Sequence, residues 1–416
     1  MRAAIGRRRL LAGALSSVPR LARAQIQPIT IGFGEALTGE LAPIARSGLL
    51  ATRIWADQIN ANGGLLGRPV KLIYYDNESN PAKVPGIYAR LLNQDRVDLV
   101  LSGYATNVTA PAMPIVMERN KLFISLFCLA VNSEFHYPRY LSILPCGPDP
   151  KHMFSEGFFR IAQDQPARPE TVAILAADAE YARSASEGAA DNARNAGFKI
   201  LLEEIFPSAT TDYNAVVRMA KAVDADMVYV ASYPDDTAGI LRAAHDVGLR
   251  PRLFGGNMIG VSGATLKQKL GPLMNGIVVS EPWVPAPTLR FPGVHDFLKQ
   301  YQAKAGAEEV DPLGYFLPPW AFARMQVLQQ AVEGAKSIDD AALADYAHSH
   351  TFRTVVGDVA FNPDGEWSEP RLFWTQFQGI TGHDLEQFRG SATEVVIFPA
   401  RFQSGSLIYP YWKAAR

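Results

Sequence analysis

Cysteine is nearly absent from this chain, with two residues, Cys128 and Cys146, in 416. Their spacing leaves a disulfide open in both directions, because a bridge needs Cα atoms within ~7 Å, and neither has a histidine close in sequence to form a thiol–histidine pair. The seven histidines are scattered, and the one close pair, His348 and His350, faces apart on a helix. With neither H-E-x-x-H nor paired C-x-x-C, no metal site and no cofactor is expected. Phosphate loops of the Walker type and the G-x-S-x-G elbow are missing as well. Gly32-Phe33-Gly34 begins like a dinucleotide fingerprint, but Leu37 stands where the third glycine belongs. The acidic doublets Asp235-Asp236 and Asp339-Asp340 read as helix caps. Nothing here points to catalysis, and the chain is expected not to be an enzyme. No apolar run approaches the ~18–20 residues that span a bilayer, so no transmembrane helix is expected.

What is present is the composition of a soluble globular protein, 48% hydrophobic and 19% charged, long enough for two or three domains. The N-terminus stands apart. Arg2, Arg7, Arg8 and Arg9 precede an apolar stretch from Leu10 to Val18, and Ala22-Arg23-Ala24 stands before Gln25. Basic region, apolar region and small-x-small site, in that order, form a secretory signal over residues 1–24, by the general or the twin-arginine route. Removing it takes away six arginines and no acid, leaving 34 basic against 41 acidic side chains, a net charge of −7. Without a basic cluster, nucleic acid is not an expected partner.

Strands and helices then alternate. "ITIGFG" is a strand; residues 41–61 form a helix with Ala51, Trp55 and Ile59 on one face, ended by Asn62-Gly63-Gly64. "RPVKLIYYD", a helix over 80–95, "VDLVLSG", a helix to about Arg119 and "LFISLF" follow. The rhythm restarts with "TVAILAA" and continues through "FKILLEEIF", "DMVYVAS" and "RLFGG", with helices between. Such alternation means parallel sheets covered on both faces. The fold class is therefore α/β, two Rossmann-like lobes separated by "ILPCGPDP" at 143–150, with later segments tying them together.

In open parallel sheets, ligands bind beyond the carboxyl ends of the strands. "LVLSGYATNVTAPA" (99–112) lies there, and Thr106 with nearby amides reads as donors to a small anion at the N-terminus of the next helix. Each good donor to a charged group contributes ~1.5–3 kcal/mol and a helix end ~0.3–1. Two or three donors beside an apolar slot reach micromolar affinity, about −8 kcal/mol.

The opening "ITIGFGEALTGELAPIARSGLLATRIWADQINANGGLLGRPVKLIYYDNESNPAKV" and the later "DMVYVASYPDDTAGILRAAHDVGL" resemble the leucine/isoleucine/valine-type substrate-binding proteins of bacterial ABC importers. The shared pattern is a strand, L-T-G, a helix ending I-N-x-x-G-G-x-x-G-R, a strand, and D-x-x-x-x-P. The resemblance implies a type I periplasmic binding fold with hinge crossovers near 145–150, 273–278 and 355–360. The N-terminal lobe would be 25–146 plus 277–356, the C-terminal lobe 147–276 plus 357–405, and 406–416 a tail. It implies ligand contacts from Thr106, Asn107, Phe127, Leu129, Tyr181 and Tyr233, with Tyr104, Asn257, Met258 and Ile44 as further candidates and Glu35 and Tyr315 behind them.

Where amino-acid binders of this type carry an acid for the α-ammonium, this chain has Asn257-Met258. A buried ammonium without a counter-charge costs several kcal/mol, so an aromatic or aliphatic acid, or an amide, is expected instead. The implied protein is a periplasmic monomer that delivers its ligand to an inner-membrane ABC permease. The competing readings are a ligand sensor for a receptor, an ordinary branched-chain amino acid binder, and an exported enzyme.

Overall fold

The computed structural model describes residues 27–207 and 210–414. The expected signal, residues 1–24, lies outside them. Five parallel strands form the first sheet: β1 (Ile29–Glu35), β2 (Val70–Asp76), β3 (Leu99–Tyr104), β4 (Phe123–Leu126) and β5 (Tyr140–Ile143), in the order β2-β1-β3-β4-β5. The central strand β3 is buried along its whole length, as a strand covered on both faces must be. Gly103 makes its pairing possible, since a Cβ there would sit 2.2 Å from the Gly34 carbonyl oxygen on β1.

The second sheet begins with β6 (Thr171–Ala177), β7 (Lys199–Phe206), β8 (Met227–Ser232), β9 (Leu253–Met258) and β10 (Val278–Glu281), all parallel. The chain then builds helices Val294–Ala305, Pro318–Ala335 and Asp340–Ser349 on the first lobe, and an antiparallel hairpin of β11 (Phe352–Thr354) and β12 (Gly357–Val359). It returns as β13 (Phe373–Phe377) and β14 (Glu394–Phe398), which extend the second sheet antiparallel to give β14-β13-β10-β9-β8-β6-β7. Helix Pro318–Ala335 lies along helix Ala42–Ala61, with Trp55 Nε1 donating to Gln329 Oε1 at 3.0 Å. Lys121 ties the same lobe to Asp340 at 2.6 Å.

Two expected boundaries move. The second crossover falls after Glu281, because the apolar run Ile277–Val279 continues as β10 and pairs Val278 with Gly255 of β9. The third lies between Val359 and Phe373, because the β11–β12 hairpin packs on helix Pro318–Ala335. The segment after 405 is no loose tail up to Ala414: Tyr411 N donates to Arg252 O at 2.8 Å and its ring meets Phe254 edge-on.

Candidate functional site

The carboxyl ends of both sheets face one cleft, and side chains of both lobes line a cavity in it. From the first lobe, Tyr104 ends β3 with Ala105 and Thr106 just beyond it, and Phe127 and Leu129 follow β4. Ala105 and Phe127 hold positive φ, +86° and +53°, a strained backbone for residues other than glycine and one that clusters at binding sites. Phe316, before helix Pro318–Ala335, packs at 5.2 Å from the Phe127 ring. From the second lobe come Phe154, Tyr181, Tyr233, Asn257, Met258 and Ser262, with Ser280 on β10. No lining residue is charged.

The direction of each hydrogen bond decides what the walls can still offer. Thr106 Oγ1 accepts from Leu129 N at 3.0 Å, so its own O–H is free to donate. Tyr181 donates its hydroxyl to Asn257 O at 2.8 Å. The Tyr233 hydroxyl is buried without a hydrogen-bond partner, an open valence in an apolar wall. Asn257 is fully committed: Nδ2 donates to Phe154 O at 3.0 Å and Ser280 Oγ at 2.6 Å, and Oδ1 accepts from the Tyr229 hydroxyl. Ser280 therefore keeps its proton. Ser262 donates its own to Glu281 Oε1.

Behind that wall Lys267 pairs with Glu394 at 2.9 Å, both side chains buried. Glu281 is the unmatched acid of the group. Burial first, then the Glu394 charge, hold its pKa well above the usual carboxylate range, against the pull of Lys267.

Eight of the ten expected positions line the cavity: Tyr104, Thr106, Phe127, Leu129, Tyr181, Tyr233, Asn257 and Met258. Asn107 does not; its Oδ1 crosses the cleft and accepts from Tyr181 N at 3.1 Å. Two other contacts repeat this arrangement. Glu40 accepts from Asp235 N at 3.3 Å and Asp311 from Ala264 N at 3.0 Å. The three acceptors belong to the first lobe. The three amides open second-lobe helices Glu180–Asn195, Pro234–Asp246 and Ala264–Leu270, whose own N-cap residues make no side-chain cap. Ile44 sits in a separate groove at the cleft mouth with Glu40 and Pro234.

Other expectations are corrected. Glu35 faces away from the ligand space: its Oε1 accepts from Ala36 N and Tyr104 N at 3.1 Å each, and burial pushes its pKa up to about 7. Tyr315 donates to Arg389 O, and its neighbour Phe316 takes the wall position. The helix expected after Thr106 is broken into 3₁₀ turns Thr106–Val108 and Ala110–Ala112 and a short helix Met113–Glu118. Pro111 and Pro114 lack the N–H groups a continuous helix needs, so no long helix end supports an anion there. Asp339 caps its helix, accepting from Ala341 N and Ala342 N. By contrast, Asp235 and Asp236 lie inside theirs, and Asp236 accepts from Tyr213. Both cysteines are buried and free. Phe154, Phe316, Ser262, Ser280 and the hinge residues Leu144 and Leu372 are lining positions the sequence did not single out.

No described helix is long and apolar enough to cross a membrane, and no group of metal-ligating side chains occurs among the described residues. The chain is 25% identical over 363 residues to an amino acid binding protein of Pseudomonas aeruginosa, covering 86% of this chain and 93% of that one. Its fold matches the branched-chain amino acid transporter substrate-binding protein of Streptococcus pneumoniae in complex with isoleucine, with TM-score 0.73, 20% identity and coverage of 90% and 100%. It equally matches a solute-binding protein of R. palustris in complex with 4-hydroxybenzoate, with TM-score 0.73, 17% identity and coverage of 86% and 94%. Two parallel-sheet lobes with a cleft at the strand ends are the type I periplasmic binding fold. A family profile described as "Periplasmic binding protein" matches residues 28–376, and the chain belongs to that family.

Proposed function

We propose that this protein is the periplasmic solute-binding component of an ABC importer. It holds a small carboxylate-bearing ligand with an aromatic or aliphatic body between its lobes and delivers it, as a monomer, to an inner-membrane permease. No bond is made or broken; the work is binding and lobe closure. The observation that carries the ligand class is the lining itself, aromatic and apolar without a charged residue. Thr106 O–H and the unpartnered Tyr233 hydroxyl are donors for a carboxylate.

The relatives favour a second reading, a branched-chain amino acid. Against it stands Asn257, whose amide atoms are both engaged within the protein. An α-ammonium would meet no ionised side chain in the lining, at a cost of several kcal/mol.

A thermal-shift screen of refolded protein against aromatic acids, aliphatic acids, amides, leucine and valine decides between them. Ligand at ~100 times its dissociation constant adds ~2.7 kcal/mol of stability. Shifts with acids and none with leucine or valine support the proposal; the reverse pattern replaces it with the second reading.

A further inference from the structure

Behind the uncharged lining, two ionisable side chains of the first lobe are buried without direct ion pairs. Arg324, on helix Pro318–Ala335, is 1% exposed. Its Nη1 donates to Ser102 O at 2.6 Å, its Nε has no hydrogen-bond partner, and it makes no ion pair among the described residues. Glu35, at the end of β1, is equally buried, and its Oε1 accepts from Tyr104 N and Ala36 N. Both side chains grip the end of β3, at Ser102 and at Tyr104, and Tyr104 lines the cavity together with Ala105 and Thr106. A guanidinium stays charged, and a buried cation without a counter-charge is costly. The Thr106 hydroxyl, free to donate, stands in front of it as a carboxylate subsite, so the ligand itself supplies the missing negative charge.

Glu35 sets how much of that positive charge is left. Burial pushes its pKa up to about 7, against the pull of the Tyr104 amide and the Arg324 charge. Below that pH it is neutral and Arg324 acts alone; above it the two charges offset one another. The other groups packed around Glu35 do not titrate in this range. Burial keeps Tyr88 of helix Val84–Asn93 and Tyr104 protonated, and holds the Cys128 thiol at about 11. Asp76, its partner on β2, serves the Leu37 and Thr38 amides instead. Glu40, at the cleft mouth, is a further acid that burial pushes up.

We propose that Arg324 and Glu35 are the charge-selecting pair of this site: the guanidinium attracts a ligand carboxylate from behind the end of β3, and Glu35 cancels that attraction when it ionises. The inference deepens the proposed function and rests on it. Neither residue touches the ligand; both are positioning residues that act through Ser102 and Tyr104. An anion in the site opposes the ionisation of Glu35, so binding takes up a proton. Affinity for a carboxylate is therefore full below pH 7 and falls as the pH rises above it, although the ligand's own charge does not change. A neutral amide of the same shape feels neither charge and binds alike throughout.

The test is calorimetric titration of the refolded wild-type chain, Glu35→Gln and Arg324→Gln with benzoate, hexanoate and their amides at pH 6 and pH 9. The wild type is expected to bind the better acid about tenfold more weakly at pH 9, the low end of what neighbouring charges exert, and its amide equally at both. Glu35→Gln, whose side-chain oxygen still accepts from both backbone amides, should keep the pH 6 affinity at pH 9. Arg324→Gln should bind the acid about tenfold more weakly at pH 6 and leave the amide unchanged. Acid affinity that does not vary with pH in the wild type overturns the inference and leaves the proposed function standing. A pH dependence that persists in Glu35→Gln also overturns it, moving the effect to another buried acid such as Glu40 or Glu366. One shared by the amide overturns it too, since lobe closure and not ligand charge would then titrate. A folded Arg324→Gln with unchanged acid affinity removes the guanidinium from the account; should that variant not fold, Glu35→Gln alone decides. If neither acid binds at either pH the inference falls, and leucine binding in their place removes the proposed function as well.

Discussion

The side-chain oxygen of Asn107 accepts from the backbone amide of Tyr181 at 3.1 Å. It joins a loop of one lobe to the first turn of a helix in the other. The first amides of a helix have no partner within it, and Ala179 offers no side-chain oxygen of its own. With Glu40 and Asp311 doing the same for two neighbouring helices, lobe closure completes three helix starts at once.

Removing one of these acceptors should loosen the closed form selectively. A lost cap costs about 1 kcal/mol. For Asn107→Ala, ligand is expected to dissociate about fivefold faster with little change in association rate. Stopped-flow fluorescence of the cleft tyrosines measures both. Unchanged dissociation would show that the contact contributes nothing to closure.

Glu366 supplies a pH prediction. It lies between β12 and β13, its carboxyl buried, and neither oxygen accepts a hydrogen bond. Burial pushes its pKa from 4.5 up to about 8. Between those values the folded chain holds a proton that the unfolded chain has released, so this group's effect is to lower stability as pH rises across that window. Glu366→Gln should be about neutral at pH 5 and more stable than wild type by about 1–3 kcal/mol at pH 9. Urea unfolding at both pH values checks this; Glu35, which shifts in the same direction, is common to both proteins and cancels in the comparison.

The buried pair Lys267–Glu394 should be costly to break from one side. Lys267→Met leaves Glu394 and Glu281 as two unpaired buried acids, and a loss of about 3–5 kcal/mol is expected. The double variant Lys267→Met/Glu394→Gln should recover most of it. A chemical denaturation series on the wild type, the two single variants and the double variant reads the coupling directly. A double variant no better than Lys267→Met would mean that the lysine matters through packing on Phe377 and Phe388 rather than through charge.

Both thiols are buried, and burial pushes the Cys128 pKa up to about 11. Since the thiolate is the reactive form, the native protein should not react with Ellman's reagent over minutes. In denaturant both thiols should titrate. Reductant should leave the melting temperature unchanged; a drop on reduction would indicate a bridge after all.

Much of this architecture was legible in the chain. Parallel strands covered on both faces require continuous apolar runs, and such runs marked β1, β3, β4, β6, β8 and β9. Their carboxyl ends and the segments that follow carry Tyr104, Thr106, Phe127, Tyr181, Tyr233 and Met258. The short strand β5 and helix Pro150–Gln163 carry little signal in the sequence because they adjoin a crossover rich in proline and glycine. Phe154, Phe316 and Ser262 carry no periodic signal. Phe154 reaches the cavity from the helix after the first crossover, Phe316 from the segment after the second, and Ser262 from the loop after β9. Asn107 shows the opposite case: its loop is legible at the end of β3, but its side chain engages a backbone amide of the other lobe that no local pattern reveals.

The cavity has walls from both lobes, which sets the order of events in time. A ligand cannot reach it while the lobes are shut, and one already inside cannot leave. Uptake then proceeds by opening, capture and shutting. At high ligand concentration the observed binding rate should stop rising and settle at the rate at which the loaded lobes shut. The same gate holds the cargo until something else, such as a docked permease, pries the halves apart, so residence time and affinity can be tuned separately.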